Sequence, residues 1–196
     1  ENSWKPKSVF PTVVGLTNNL DIRTQSKRAY VGHDAWAKRQ LLGEITCPIE
    51  KGVITDFDMM DKIWQHTFKN ELRIKTENFP VLLTEPPQNP LRNREVTTEM
   101  MFEKYKVPGF HLAVSSVLAL YESGRTTGMV VDSGDGVTNI CPIYEGYSLP
   151  HGILQTDIAG KELTKYLIKL LSDSEEKAKN DQVCTYAFSE TRHEDF

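Results

Sequence analysis

The feature that most limits the fold is the order of apolar and periodic segments in the middle of the chain. An apolar run, "FPVLLTEP", is followed by the helix-like "QNPLRNREVTTEMMFEKY". A second apolar run, "VPGFHLAV", leads into a short helical stretch, "SSVLALYESG", stopped at Gly124. Strand, helix, strand, helix is an α/β pattern. The near-continuous apolar character of Pro80 to Thr84 predicts a central strand covered on both faces. In the helix that follows, Asn89 is the expected N-cap and Pro90 the first helical residue. Val96, Met100 and the Phe102/Tyr105 edge are its expected core side.

The flanks differ in character. Val9 to Val14 is a short β-prone run, broken at Pro11 and closed by Gly15. Leu16 to Arg28 is polar and aperiodic, which predicts a surface loop or hairpin arm. The chain then turns at Gly32, and Asp34 is placed to cap a short helix through Gln40. "ITDFDMMDKIWQHTFKNEL" is the clearest helix: Thr55 and Asp58 have capping-box spacing, and Phe57, Met60, Trp64 and Phe68 form one apolar stripe. His66 lies off that stripe and is expected in solvent. Beyond Gly124, three short β runs separated by Gly turns read as an antiparallel meander. "DIAGKELTKYLIKLL" then closes the folded part, with Leu163, Tyr166, Leu167 and Leu170 on one helical face and Asp157 near its entry. After Ser172 the charged first half reads as frayed helix or loop, and no structure is assigned to "VCTYAF".

Composition excludes several classes. The hydrophobic fraction of 39% supports a core, and a net charge of −4 is not the basic footprint of a nucleic-acid binder. No apolar run approaches the roughly 20 residues that span a bilayer, and no signal peptide is evident. Cys47, Cys141 and Cys184 are widely spaced and lack metal-ligand spacing, so they are expected as buried free thiols in a reducing compartment. The five histidines are scattered, no Ser/His/Asp or Cys/His arrangement is suggested, and there is no GxxxxGK[ST] loop. The chain opens on Glu1 with a polar lead, which reads as a segment of a longer protein.

The stretch with the most chemistry is "VVDSGDGVTN". Two β runs joined by "DSGDG" can expose successive backbone N–H groups, a nest for an anion such as phosphate. Glycine there permits close approach and positive φ. Asp132, at a strand end, could hold the water shell of magnesium, which uses few protein carboxylates. Ser133 and Thr138 could add hydroxyl contacts. The same residues also suit an ordinary tight hairpin, since Asp-Gly is a standard turn pair. A calcium loop fits badly, because Gly134 and Gly136 stand where oxygen ligands are needed.

Taken together, "LLTEPPQNPLRNRE", "VLALYESGRTTGMVVDSGDGVT" and "PIYEGYSLPHGI" resemble the actin family closely, as do "YVGHDAWAKR" and "CPIEKGVITDFDMMDKIWQHTFKNEL". The resemblance runs from about Val9 to Leu171, with divergence that suggests an actin-related or actin-like protein. It implies an α/β, ribonuclease-H-like, actin-type ATPase fold in incomplete form: a mixed sheet with flanking helices plus the start of a second similar domain. It further implies Mg–ATP or Mg–ADP as ligand. By resemblance Asp132 touches the magnesium shell, Gly134, Asp135, Gly136 and Val137 line the β- and γ-phosphates, and Gly160 lies near the adenosine side. The family's first phosphate loop and C-terminal half have no counterpart here, so nucleotide binding by this chain is expected to be weak. The family's water-orienting Gln and its nearby His stand here as Ser115 and Asn139. Ser is too short to place an attacking water and Asn relays no proton, so weak or absent hydrolysis is expected.

The resemblance divides the chain into an arm region (1–47), an α/β half-domain (48–122), the start of a second domain with the phosphate hairpin (123–171) and a divergent tail (172–196). It implies a cytoskeletal or scaffolding role in the cytoplasm, with the nucleus as alternative. Other actin-family or actin-binding proteins are the implied partners, with self-association through uncovered surfaces and no nucleic acid or membrane. The rival readings are an active, polymerising actin-type ATPase and a truncated product with little function of its own.

Overall fold

A computed structural model describes residues 5–20 and 27–178 of the chain. Among them, four sheets form. The first has order β2-β1-β3, built from β1 (Val14–Leu20), β2 (Lys27–Val31) and β3 (Leu42–Thr46), all antiparallel. β1 and β2 are the stems of the expected hairpin arm; its tip lies outside the described residues. The strand expected at Val9 to Val14 instead begins at Val14 and runs on through Gly15. A Cβ on Gly15 would sit 2.3 Å from Leu42 Cδ1, so glycine lets Leu42 close over the strand and does not end it.

Between β2 and β3, α1 (His33–Ala37) and a 3-10 turn (Arg39–Leu41) replace the single helix expected through Gln40. Gly32, with φ of 63°, takes the N-cap position, and Asp34 falls inside the first turn. A two-residue hairpin follows, β4 (Ile49–Glu50) against β5 (Val53–Ile54). Its turn, Lys51-Gly52, has positive φ at both residues, as a type I′ turn requires.

The main core lies under α2 (Phe57–His66) and α3 (Leu91–Glu99). The cap of α2 is Asp56, which accepts from Met59 N at 2.9 Å; the expected Thr55 instead donates its hydroxyl to Pro48 O. Trp64 and Phe68 are buried and Phe57 and Met60 pack against them, so the apolar stripe is core as its spacing indicates. His66 is not in solvent. Its ring meets Phe10 edge-on and its Nε2 lies 3.0 Å from Glu71 Oε1, because the helix continues into a π turn (Thr67–Glu71) that swings Glu71 beneath it.

α3 ends in a second π turn (Met100–Lys104), and this carries Met101, Tyr105 and Val107 into the same core. Phe102, expected on the core side, is exposed and Met101 takes that place. The wider π turn shifts which residue faces inward. Asn89 is not the cap: its side chain donates to Glu85 Oε2 at 3.0 Å, and Pro90 occupies the N-cap position.

β6 (Val81–Glu85) pairs parallel with β7 (Phe110–Val114), and α3 is the crossover between them. The strand expected to be covered on both faces is covered on one: Leu82 is 54% exposed while Val81 and Leu83 pack on the core. α4 (Ser115–Glu122) follows β7 directly, and Gly124 at φ of 73° ends it. The meander then forms as expected: β8 (Gly128–Ser133), β9 (Thr138–Tyr144) and β10 (Tyr147–Ser148), with β11 (Leu154–Thr156) returning to pair with β9. Leu120, Cys141, Ile143 and Ile153 form its small core.

Of the cysteines, Cys141 is buried, and burial pushes its thiol above the ordinary range. Cys47 is exposed, contrary to expectation, because "TCP" falls in the link between two sheet edges; Cys184 lies outside the described residues. The last described element is α5 (Gly160–Ala178), which runs past the expected end at Leu171. Its apolar face does not enter a core: residues 161–172 are exposed along their whole length. Among the described residues, no helix is long and apolar enough to cross a membrane.

Candidate functional site

β8 and β9 run antiparallel with Asp132 opposite Asn139 and Ser133 opposite Thr138, and the four residues Gly134 to Val137 join them. The bend is held from below. Gly134 N donates to Val137 O at 3.1 Å, the hydroxyls of Ser133 and Thr138 meet at 2.8 Å, and Thr138 Oγ1 donates to Ile158 O. Ser133 and Thr138 therefore brace the bend.

The upper rim is free. No described acceptor takes the backbone N–H of Asp135, Gly136 or Val137. Three successive unpaired amides at a bend form an anion-binding concavity. Neither Gly134 nor Gly136 has positive φ, contrary to the expected reason for glycine here. A Cβ on Gly134 would meet only Val137 O at 3.7 Å, and one on Gly136 would touch the Lys51 backbone at an ordinary 3.5 Å. The fold itself does not demand glycine at either place, so the open space beside the bend is what the missing side chains preserve.

The bend faces a cleft of about 350 Å³. Asp132, Gly134, Asp135, Gly136, Val137, Ser115 and Asn139 all line it, so all but one of the residues singled out from the sequence converge on one place. Gly160 is not on the lining. Gly160 N donates to Gly134 O at 3.0 Å and Lys161 N to Asp135 O at 2.8 Å, and a Cβ on Gly160 would stand 3.3 Å from Gly134 O. Gly160 thus lets the start of α5 close against the bend, a steric part that its sequence position alone does not reveal.

The opposite wall comes from Ile49, Gly52, Thr84, Glu85 and Pro86, none of which was singled out from the sequence. A usable signal existed: Thr84 and Glu85 end β6, and Ser115 follows β7, so the cleft lies at the carboxyl ends of two parallel strands, where open α/β sheets take ligands. Glu85 is buried and held by Arg94 Nε at 3.1 Å and by Asn89. Lys51 of the β4–β5 turn reaches Asp157 Oδ2 at 2.6 Å, which ties the two walls together.

Two polar groups in the cleft bear on chemistry. Asn139 is 5% exposed and its Oδ1 has no hydrogen-bond partner. A buried acceptor left open invites a donor, such as water or a hydroxyl. Asp132 is exposed, without an ion-pair partner among the described residues. No three His, Cys, Asp or Glu side chains among the described residues come together as metal ligands. A divalent ion bound here would draw most of its oxygens from water and from an anionic ligand, with Asp132 touching its hydration shell, which suits magnesium. Compared with known families, residues 2–194 match the family model described as Actin.

Proposed function

The chain belongs to the actin family, and from that premise we propose that it binds a magnesium nucleotide at the Asp132–Val137 bend and acts chiefly as a structural or interaction protein, with weak or absent hydrolysis. The observation that carries this reading is the convergence of Asp132, the three free amides, Ser115 and Asn139 on one cleft. The amides supply donors to phosphate oxygens and Asp132 supplies the carboxylate beside them. Gly160 and Lys161, hydrogen-bonded to the underside of the bend, hold it in shape.

Turnover needs more than binding. Hydrolysis in this class of site depends on a side chain that aligns water with the terminal phosphate. Ser115 starts α4 with a one-carbon reach, and Asn139 offers an amide that carries no exchangeable charge. The ligand then serves as glue between the two walls, shifting their relative positions and so the affinity for partners. The partners proposed are other actin-family or actin-binding proteins, in a cytoplasmic, cytoskeletal setting.

Calorimetric titration with ATP and magnesium tests the reading. Saturable, magnesium-dependent binding is expected, weakened by roughly 1–3 kcal/mol in Asp132→Ala. Equal affinity of the variant, or no binding to the parent chain at millimolar nucleotide, overturns it. A phosphate-release assay tests the second part: slow release is expected, rising in Ser115→Gln. Release from the parent chain at the rate of filamentous actin would instead make it an active ATPase.

A further inference from the structure

Helix α5 is the longest element among the described residues and the least covered. Beyond its first turn, tied to the bend through Gly160 and Lys161, every residue through Ser172 is exposed. Leu163, Tyr166, Leu167 and Leu171 nevertheless fall on one side, a stripe of about two and a half turns. Leu163 and Leu167 are 61% and 56% exposed. Such a stripe is a packing surface awaiting an occupant.

The charges of the same helix indicate which occupant. Its first ten residues hold Lys161, Lys165 and Lys169 against one acid, Glu162. Its last nine hold Asp173, Glu175 and Glu176 against one base, Lys177. The helix dipole favours the reverse, with acids at the N-terminus and bases at the C-terminus. Glu162 answers only Lys165, at 2.8 Å. A helix that is basic in its first half and acidic in its second is complementary to itself turned end for end. In that arrangement each basic half lies beside an acidic half and the two dipoles oppose. A parallel copy would set like charge on like.

We propose that α5 pairs antiparallel with α5 of a second copy of this chain, along the Leu163–Leu171 stripe, to give a two-fold dimer. The interface is isologous, so each contact occurs twice. Two short stripes bury less than a standard interface, and the dissociation constant should be on the order of 10 μM.

Sedimentation equilibrium of the full 196-residue chain, from about 1 to 100 μM at low salt, reads this directly. A monomer–dimer equilibrium is expected, weakening as salt is added. Leu163→Asp with Leu167→Asp should raise the dissociation constant at least about 100-fold while far-ultraviolet circular dichroism stays unchanged. Lys165→Glu with Lys169→Glu makes the whole helix acidic, and Glu175→Lys with Glu176→Lys makes it basic. Each exposed-charge variant alone should dimerise at least about tenfold more weakly, and an equimolar mixture of the two should restore the dimer. A chain that stays monomeric at about 100 μM overturns the proposal, as does a dimer indifferent to the aspartates. Charge variants that dimerise as the parent does overturn the antiparallel arrangement.

Discussion

Around α2 and α3 the apolar pattern of the sequence ends in a closed interior. Trp64, Phe68, Met101, Tyr105 and Val107 are all buried, and Ile54, Phe57, Leu83 and Phe110 pack around them. In the β8–β11 sheet and α5, similar patterns end in solvent: Met129 and Val131 on β8, Leu154 on β11 and the α5 stripe are all exposed. The same chemistry is spent differently. In the first region opposing faces lie within one stretch of chain, so packing completes itself locally. In the second each element has one covered side, and the other waits for something these elements do not contain. A period of 3.6 or 2 therefore reports that a face is apolar, not that this chain covers it.

The strongest way to break the comparison is to cut into both regions alike. Trp64→Ala should cost about 3–5 kcal/mol in chemical denaturation, as a large side chain removed from a closed core. Met129→Ala should stay within about 0.5 kcal/mol. Equal losses would mean that β8 is covered after all.

A smaller effect probes the polar seam of the closed region. Tyr105 Oη donates to Asp61 Oδ1 at 2.8 Å, and Lys104 Nζ and Gln65 Nε2 donate to Asp61 Oδ2 at 2.7 and 2.8 Å. Burial first, and the Asp61 carboxylate second, hold the Tyr105 hydroxyl far above its ordinary range. Tyr105→Phe removes one donor from a buried carboxylate and should cost about 1–3 kcal/mol. No loss would show that Lys104 and Gln65 suffice.

Smaller still is the link between the regions. Lys51 and Asp157 are both more than half exposed, so Lys51→Ala should cost no more than about 1 kcal/mol, with most of the effect gone at high salt. A loss of several kcal/mol would mean that the two regions fold as one through this pair.

The smallest expected effect is a pH dependence in the closed region alone. Glu71 titrates below the usual carboxylate range, first because the Ser8 hydroxyl donates to it and then through His66. A carboxyl with a lowered folded pKa stabilises the fold above its ordinary value of 4.5, and that contribution fades as pH falls through the lower folded value. Melting curves of the parent chain and Glu71→Gln should therefore converge as pH drops below 4.5. A constant gap between them down to acid pH would remove Glu71 from the account.

What could be read from the sequence follows from these physical differences. The α/β order, the α2 stripe and the meander were legible because each repeats one period over many residues. Caps were misread by one position: Thr55 and Asn89 are good capping types, but each had a stronger tertiary partner, in Pro48 O and Glu85. Met101 could not be told from Phe102, because a π turn adds a residue that no periodicity announces. The bend residues were legible from their composition. The facing wall, Thr84 and Glu85, was not, because ordinary strand residues acquire that position only when parallel pairing sets β6 beside β7.

The two π turns have one more consequence. α2 and α3 each widen in their last five residues and leave through a left-handed basic residue, Arg73 at φ of 55° and Lys106 at φ of 53°. A widened turn holds one surplus amino acid within an otherwise regular spiral. Shortening either segment by a single codon would let the spiral tighten and rotate everything downstream by roughly 100°. At these two places the protein should tolerate a change of letter far better than a change of count.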